Sequence, residues 1–292
     1  MTTAAAGTVT IGDLTIHRLG FGGMRLTGPG IMGPPPDMAA AVATLRALPE
    51  LGVTFVDTAN AYGPMISELL VRQVLHPYTG ITVATKGGML RPGPNRWLRD
   101  GRPEAIRASV QLSLKSLAVD RIDLWQLHRV DTNVPLGEQF GAIAELQREG
   151  LIRHAGLSEV SIEQIEEAGR YFTVASVQSG YHLIERKNEP VLEYCEQHGI
   201  PFISYFPLAT GALAAPDSIL AGIAQELGAT PAQVAIAWQL HRSPSLVVIP
   251  GTANPAHVRE NMAAATLRLD AEQLARIARI GQKAALLRAP KP

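Results

Sequence analysis

Short β-branched runs alternate along the chain with longer stretches in which apolar residues recur every three or four positions. The short runs predict strands at Leu19–Gly23, Val53–Asp57, Ile81–Lys86, Ile122–His128, His154–Ser158, Val174–Gln178, Phe202–Phe206 and Leu246–Pro250. The longer periods predict helices at Met38–Leu51, Glu104–Leu117, Glu138–Glu149, Ile162–Gly169, Glu189–His198 and Pro231–Arg242. Ser161 and Thr230 stand at N-cap positions with Gln164 and Gln233 three residues on, the spacing of a capping box. Ahead of these lies Thr8–His17, which predicts a hairpin turning at Gly12-Asp13.

Strand, helix and strand in succession require parallel pairing with right-handed crossovers. Eight such units in 292 residues, about 36 residues each, fit a closed (β/α)8 TIM barrel as one domain over 1–292. The hairpin is expected to cap the barrel bottom. An open doubly wound sheet would need a glycine-rich turn that opens a helix, then an acidic ribose ligand. The glycine-rich stretch Gly20–Gly30 instead continues in proline and glycine to Pro36 and opens no helix.

Barrel chemistry sits where strands end. Here Asp57, Lys86, His128, Ser158 and Gln178 close strands whose interiors are apolar or small. The two-residue period puts Asp57 with Phe55, Lys86 with Ala84 and His128 with Gln126 on one face. If that face is the interior, the three titratable tips converge on one mouth.

Composition narrows the function classes. A hydrophobic share of 46% allows a large core, and 18% charged residues is low against about 25% for a typical soluble domain. Lys+Arg and Asp+Glu balance at 26 each without a basic block, which argues against a nucleic-acid footprint. The single cysteine, Cys195, excludes an intrachain disulfide framework and any Cys-rich metal site. His76, His154, His182 and His241 have no metal-ligand spacing. The start MTTAAAGTVT lacks a basic and an apolar region of a signal peptide, and runs such as Val53–Val56 or Leu246–Ile249 are too short for a bilayer. A cytoplasmic protein without membrane association, monomeric or weakly self-associating, is expected.

Asp57, Lys86 and His128 at three strand tips, with Tyr62 five residues past Asp57, form a set that resembles the aldo-keto reductase family. The match runs through LGFGGM, VDTANAYG, ATKGG, DLWQLHR, GLSEV, VASVQ, SYFPLATG and VIPGTANPAHVREN. Taken singly, Asp57 and Lys86 read as a structural ion pair, His128 as a satisfied strand-end histidine and Tyr62 as a loop aromatic. Arriving together in family order, they read as a catalytic tetrad. The resemblance implies that Tyr62 gives a proton to the carbonyl oxygen, although a free phenol with a pKa near ~10 is a sluggish acid. Lys86 would stabilise the tyrosinate, Asp57 would hold Lys86, and His128 would orient the carbonyl.

The resemblance also implies NADPH bound across the mouth without a Rossmann fold. Ser158 and Gln178 match residues that hold the nicotinamide carboxamide, and Tyr205 matches the aromatic that stacks on the ring. Gly22, Gly23, Met24, Phe206, Pro207 and Leu208 are expected around the cofactor. Pro250, Gly251, Thr252 and Asn254 lead into a helix whose free N–H groups can receive a phosphate. Glu260 and Asn261 match the pair that reads the adenine. Two departures stand out: Glu159 replaces the family's usual Asn, and Gly251 and His257 stand where well-known members carry the cations that clamp the 2′-phosphate. Arg259 is a candidate helper or a solvated surface charge.

Substrate choice is expected from the loops Arg25–Asp37, Gly87–Gly101 and Arg129–Pro135. Trp97 reads either as a wall of the substrate pocket or as a packing anchor, and Arg129 as a substrate-binding group; Trp125 and Trp238 read as packing. The tail after Gln282 is expected to cover little of the site. The GPGIMGPPPD segment with AYGP and LHPY resembles a bacterial branch that includes pyridoxal reductases (pyridoxine 4-dehydrogenases). A small-molecule carbonyl substrate is therefore expected, with pyridoxal a candidate beside sugar-derived and secondary-metabolite ketones. A nicotinamide-binding regulatory subunit and a lyase on the same barrel are the other classes a barrel could serve.

Overall fold

In the computed structural model, which describes residues 2–288, the chain opens on the predicted hairpin. β1 (Thr8–Ile11) and β2 (Leu14–His17) pair antiparallel around Gly12, whose φ of +61° suits the tight turn. Ile11 and Ile16 are fully buried and pack on Phe55, Ala84, Leu124, Ile203 and Val247 inside the barrel. Each such burial contributes about 1.5–3 kcal/mol, which seats the hairpin on the barrel floor. The end of the tail after Gln282 lies outside the described residues.

The eight predicted barrel strands are all present, with ends shifted by one or two residues, two of the strands being longer than predicted. They are β3 (Phe21–Gly22), β4 (Phe55–Asp57), β5 (Thr82–Gly87), β8 (Ile122–Leu127), β9 (Ile152–Ser158), β10 (Val174–Gly180), β11 (Phe202–Tyr205) and β12 (Leu246–Val248). Between β5 and β8 lies a second antiparallel pair, β6 (Met89–Gly93) and β7 (Arg96–Arg99). All neighbouring barrel strands pair in parallel, in chain order from β3 to β12. The sheet closes where Leu19 bridges Val248, with Gly20 N donating to Val248 O at 3.0 Å and Gly22 N to Pro250 O at 3.1 Å.

The helices follow as predicted: α1 (Met38–Glu50), α3 (Pro103–Leu117), α4 (Leu136–Arg148), α5 (Ile162–Ala168), α6 (Glu189–Gln197) and α8 (Pro231–Arg242). Both capping boxes form, Ser161 with Gln164 and Thr230 with Gln233. Between and after them stand α2 (Ile66–Leu75), α7 (Ala221–Glu226), α9 (Pro255–Ala263) and α10 (Ala271–Arg288). Two apolar layers lie between sheet and helices, one around Trp125, Phe140, Tyr181 and Trp238, the other around Leu45, Val56, Val71 and Ile236. Trp125 and Trp238 thus pack as expected.

Inside the barrel the layers change from apolar to polar toward the strand ends. Phe55, Ala84 and Leu124 form the lower layer. Two residues on along each strand, Asp57, Lys86 and Gln126 are all buried. β10 breaks register between Val174 and Ser176, so Ala175 joins the interior below while Gln178 still reaches Asp57 above.

Candidate active site

Asp57 is the centre of a buried polar network. Its carboxylate accepts from the Lys86 ammonium, from Gln126 Nε2 at 3.1 Å and from Gln178 Nε2 at 2.9 Å. Lys86 also donates to the carbonyl of Thr58 at 2.9 Å and has no exposed surface. A buried ion pair is tolerated when further hydrogen bonds satisfy its members, as Gln126, Gln178 and the Thr58 carbonyl do here. The Lys86 ammonium lies 5.2 Å from the centroid of the Tyr62 ring.

Tyr62, His128 and Trp97 meet edge to face above this network. Their centroids are 5.7 Å apart for Tyr62 and His128, 6.4 Å for Tyr62 and Trp97, and 5.8 Å for Trp97 and His128. Trp97 is carried by β7 and its ring is covered by the Arg91 guanidinium at 3.6 Å. Trp97 lines the cavity at the strand ends while also packing against Arg91.

The pKa of Tyr62 departs from simple expectation. Lys86 pulls it down, but burial outweighs that pull, and the phenol ends above its ordinary value. The ammonium therefore offsets part of a desolvation cost rather than producing an acidic tyrosine. For His128, burial first, then the positive charges of Lys86, Arg129 and Arg91, hold the imidazole well below its ordinary 6.5. Its Nδ1 is buried without a partner, which favours the proton on Nε2, the ring nitrogen open to the cavity. The unfolded chain takes a proton on this residue near 6.5 and the folded chain only well below it. Its contribution to stability is therefore full above 6.5 and lost as pH falls toward the folded value. By NMR, the His128 imidazole is expected to give no titration step near 6.5; a step there would contradict the neutral assignment.

A cavity of about 1170 Å³ opens from these residues across the strand ends. Of the expected cofactor residues, Gly22, Met24, Ser158, Gln178, Tyr205, Phe206, Pro207 and Leu208 line it, as do Pro250, Gly251, Thr252, His257, Glu260 and Asn261. Arg129 lines it too. Gly23 and Asn254 do not: Gly23 packs over Ser67 and Asp57, and Asn254 caps α9 by accepting from Ala256 N at 2.9 Å. Arg259 also stands off the wall and pairs with Glu50 at 3.4 Å.

The donor set suits a dinucleotide. Gln178 turns its amide nitrogen to Asp57 and so presents its oxygen as an acceptor. Neither Thr252 N nor Ala253 N bonds another backbone group, leaving two donors at the entrance to α9. A Cβ on Gly251 would come within 2.5 Å of Gly22 O. The close strand seam therefore excludes a lysine side chain at this position.

Glu159 has a definite destination that sequence reasoning lacked. Its carboxylate accepts from Tyr205 Oη and from Gly180 N, both at 2.7 Å. It does so from a left-handed backbone, φ +56°, a conformation that costs a non-glycine residue energy. Arg129 completes the cluster, donating to Ser158 Oγ at 2.9 Å and reaching Tyr205 Oη at 3.4 Å. The aromatic face of Tyr205 is thereby fixed from two sides. Among the described residues no group of three His, Cys, Asp or Glu is placed to hold a metal ion, and no helix is long and apolar enough to cross a membrane.

Residues 18–282 match the aldo/keto reductase family. The chain is 51% identical to an uncharacterised oxidoreductase of Schizosaccharomyces pombe over 93% of its own length and 89% of that protein's. It is 37% identical to pyridoxine 4-dehydrogenase of Escherichia coli over 92% and 96% of the two chains. Its fold superposes on glycerol dehydrogenase of Gluconobacter oxydans with a TM-score of 0.85 at 26% identity, over 99% and 98% of the chains. It superposes on an aldo-keto reductase of Klebsiella pneumoniae in complex with NADPH with a TM-score of 0.78 at 27% identity, covering 94% of each. Matched over nearly its whole length in sequence and in fold, the chain belongs to the aldo/keto reductase family.

Proposed function

We propose that Tyr62 protonates, and His128 orients, the carbonyl of an aldehyde or ketone that this NAD(P)H-dependent oxidoreductase reduces to an alcohol. The observation that carries this reading is the meeting of Tyr62 and His128 over the buried Lys86–Asp57 pair at the cavity mouth. Bound NADPH supplies the hydride. The chain's own residues would do the rest: Ser158 and Gln178 would hold the carboxamide, Tyr205 would meet the nicotinamide ring, and Nε2–H of neutral His128 would donate to the carbonyl oxygen. Tyr62 then gives its proton to the developing alkoxide, and the Lys86 charge steadies the phenolate left behind. Asp57 keeps Lys86 charged and in place.

NADP(H) rather than NAD(H) is supported by the Klebsiella pneumoniae relatives in complex with NADPH and with NADP. Its phosphates would be met by backbone N–H groups and neutral side chains, since neither arginine nor lysine lines the stretch from Gly251 to Asn261. Titration by fluorescence quenching is expected to give tighter binding of NADPH than of NADH; the reverse order would overturn the choice. Pyridoxal is one proposed substrate, on the strength of the pyridoxine 4-dehydrogenase relative. The purified protein with NADPH is expected to reduce pyridoxal at least as well as 4-nitrobenzaldehyde. Turnover of the nitrobenzaldehyde alone would remove pyridoxal and leave carbonyl reduction standing.

A further inference from the structure

The cavity carries more positive charge than the tetrad accounts for. Arg25, Arg99 and Arg129 all line it, and none has a carboxylate within 4.0 Å among the described residues. The two carboxylates on the wall do not answer them. Asp57 is taken by Lys86, and Glu260 accepts from Thr230 at 2.7 Å, beside the α8 N-terminus. Elsewhere on the chain many arginines are paired, as Arg107 is with Glu149 and Arg276 with Glu226. An unpaired guanidinium facing a cavity is a ready partner for a carboxylate or phosphate.

The hairpin of β6 and β7 sets where one of these charges falls. Strand alternation puts Trp97 and Arg99 on one face, with Arg96 and Leu98 on the other. The inward face is confirmed by Met89, the cross-strand partner of Arg99, which also lines the cavity. Arg91 locks the hairpin down: besides covering Trp97, it donates to Gly30 O at 2.7 Å, Ala61 O at 3.1 Å and Arg96 O at 3.0 Å. Residues two apart on a strand are separated by about 6.5–7 Å. The backbone of Arg99 thus stands that far from that of Trp97, whose ring meets Tyr62 and His128, and its exposed side chain lines the cavity. Arg129 is held by Ser158 and by the carbonyl of His128, so it adds charge at the shoulder of the site. Arg25 is exposed on the short turn Gly23–Leu26 and carries no hydrogen bond of its own.

We propose that this enzyme prefers, over carbonyl compounds that lack an anionic group, such as pyridoxal, anionic carbonyl compounds whose carboxylate or phosphate, set off from the carbonyl by a short spacer, is bound by Arg99 within the positive field of Arg25 and Arg129. This inference rests on carbonyl reduction at Tyr62 and specifies what enters the site. Arg129 is also among the positive charges that, after burial, hold His128 neutral, so its field reaches the reacting groups.

Two matched pairs of aldehydes test it: 4-carboxybenzaldehyde against its neutral methyl ester, and glyceraldehyde 3-phosphate against glyceraldehyde. The first pair reports a carboxylate and the second a phosphate. The charged member of at least one pair is expected to have a kcat/KM about 10- to 100-fold higher, the range of one or two charge-assisted hydrogen bonds. Arg99→Ala is expected to bring that ratio close to one through KM, Arg99→Lys to retain part of it, and added salt to erode it. Equal or better turnover of both neutral aldehydes by the wild type would overturn the proposal and leave carbonyl reduction intact. A ratio unmoved in Arg99→Ala while the Kd for NADPH rises would assign Arg99 to the cofactor's diphosphate and overturn it as well. No turnover of any of the four would instead count against carbonyl reduction itself.

Discussion

Tyr62→Phe is expected to lower kcat for carbonyl reduction by about 10²–10⁴-fold, the usual contribution of a positioned general acid. The change removes one oxygen and leaves the ring that packs against Trp97 and His128. NADPH affinity should move by no more than about twofold, because the loss falls on an interaction made in the transition state. The phenol is suited to this role by being protonated. Burial holds its pKa above the ordinary value, while Lys86, charged and 5.2 Å from the ring centroid, stands ready to stabilise the anion. Steady-state rates with a fluorescence titration of NADPH read both quantities. Retention of kcat in Tyr62→Phe would move the donor role to His128, whose ring meets that of Tyr62 edge to face.

The second large effect is on stability. Asp57→Asn should destabilise the fold by about 3–5 kcal/mol, the cost of leaving a buried charge without its partner. Lys86 has no exposed surface and Asp57 only 2%, so water cannot take over. The amide would also turn a donor toward Lys86, Gln126 or Gln178, all of which donate to Asp57 now. The double change Asp57→Leu with Lys86→Met should recover most of that loss, since apolar replacement of a buried pair is often neutral or better. It should not recover turnover. Urea denaturation and NADPH oxidation measured on the wild type and these two variants separate the two roles. Full activity in the double variant would make the pair structural only.

Much of this was legible in the sequence, for identifiable reasons. The eight strands announce themselves as β-branched runs, and their polar tips mark the mouth because an apolar barrel interior has no other use for Asp57, Lys86 and His128. Period two along each strand then placed them on one face. What stayed hidden depends on distance or on environment. The β6–β7 hairpin reads as loop because Pro92, Gly93 and Pro94 mask the alternation, although Asn95 supplies the left-handed turn residue at φ +54°. Helix α2 follows Pro64 and a left-handed Met65, which disguise its start. Glu159 was visible as a departure from the family, but its partner Tyr205 lies far along the chain. Lys86 near Tyr62 suggested a lowered phenol pKa; burial, which no spacing reveals, reverses the net direction.

The most direct test of the central claim follows the hydride itself. The protein is incubated with NADPH deuterated at the transferring position of C4 and with 4-nitrobenzaldehyde, and the product is examined by mass spectrometry and NMR. Direct transfer at the Tyr62 site predicts 4-nitrobenzyl alcohol carrying one deuterium on its carbinol carbon, formed by wild type and reduced to a trace in Tyr62→Phe. Absence of the alcohol, or alcohol without the label at that carbon, would contradict the account.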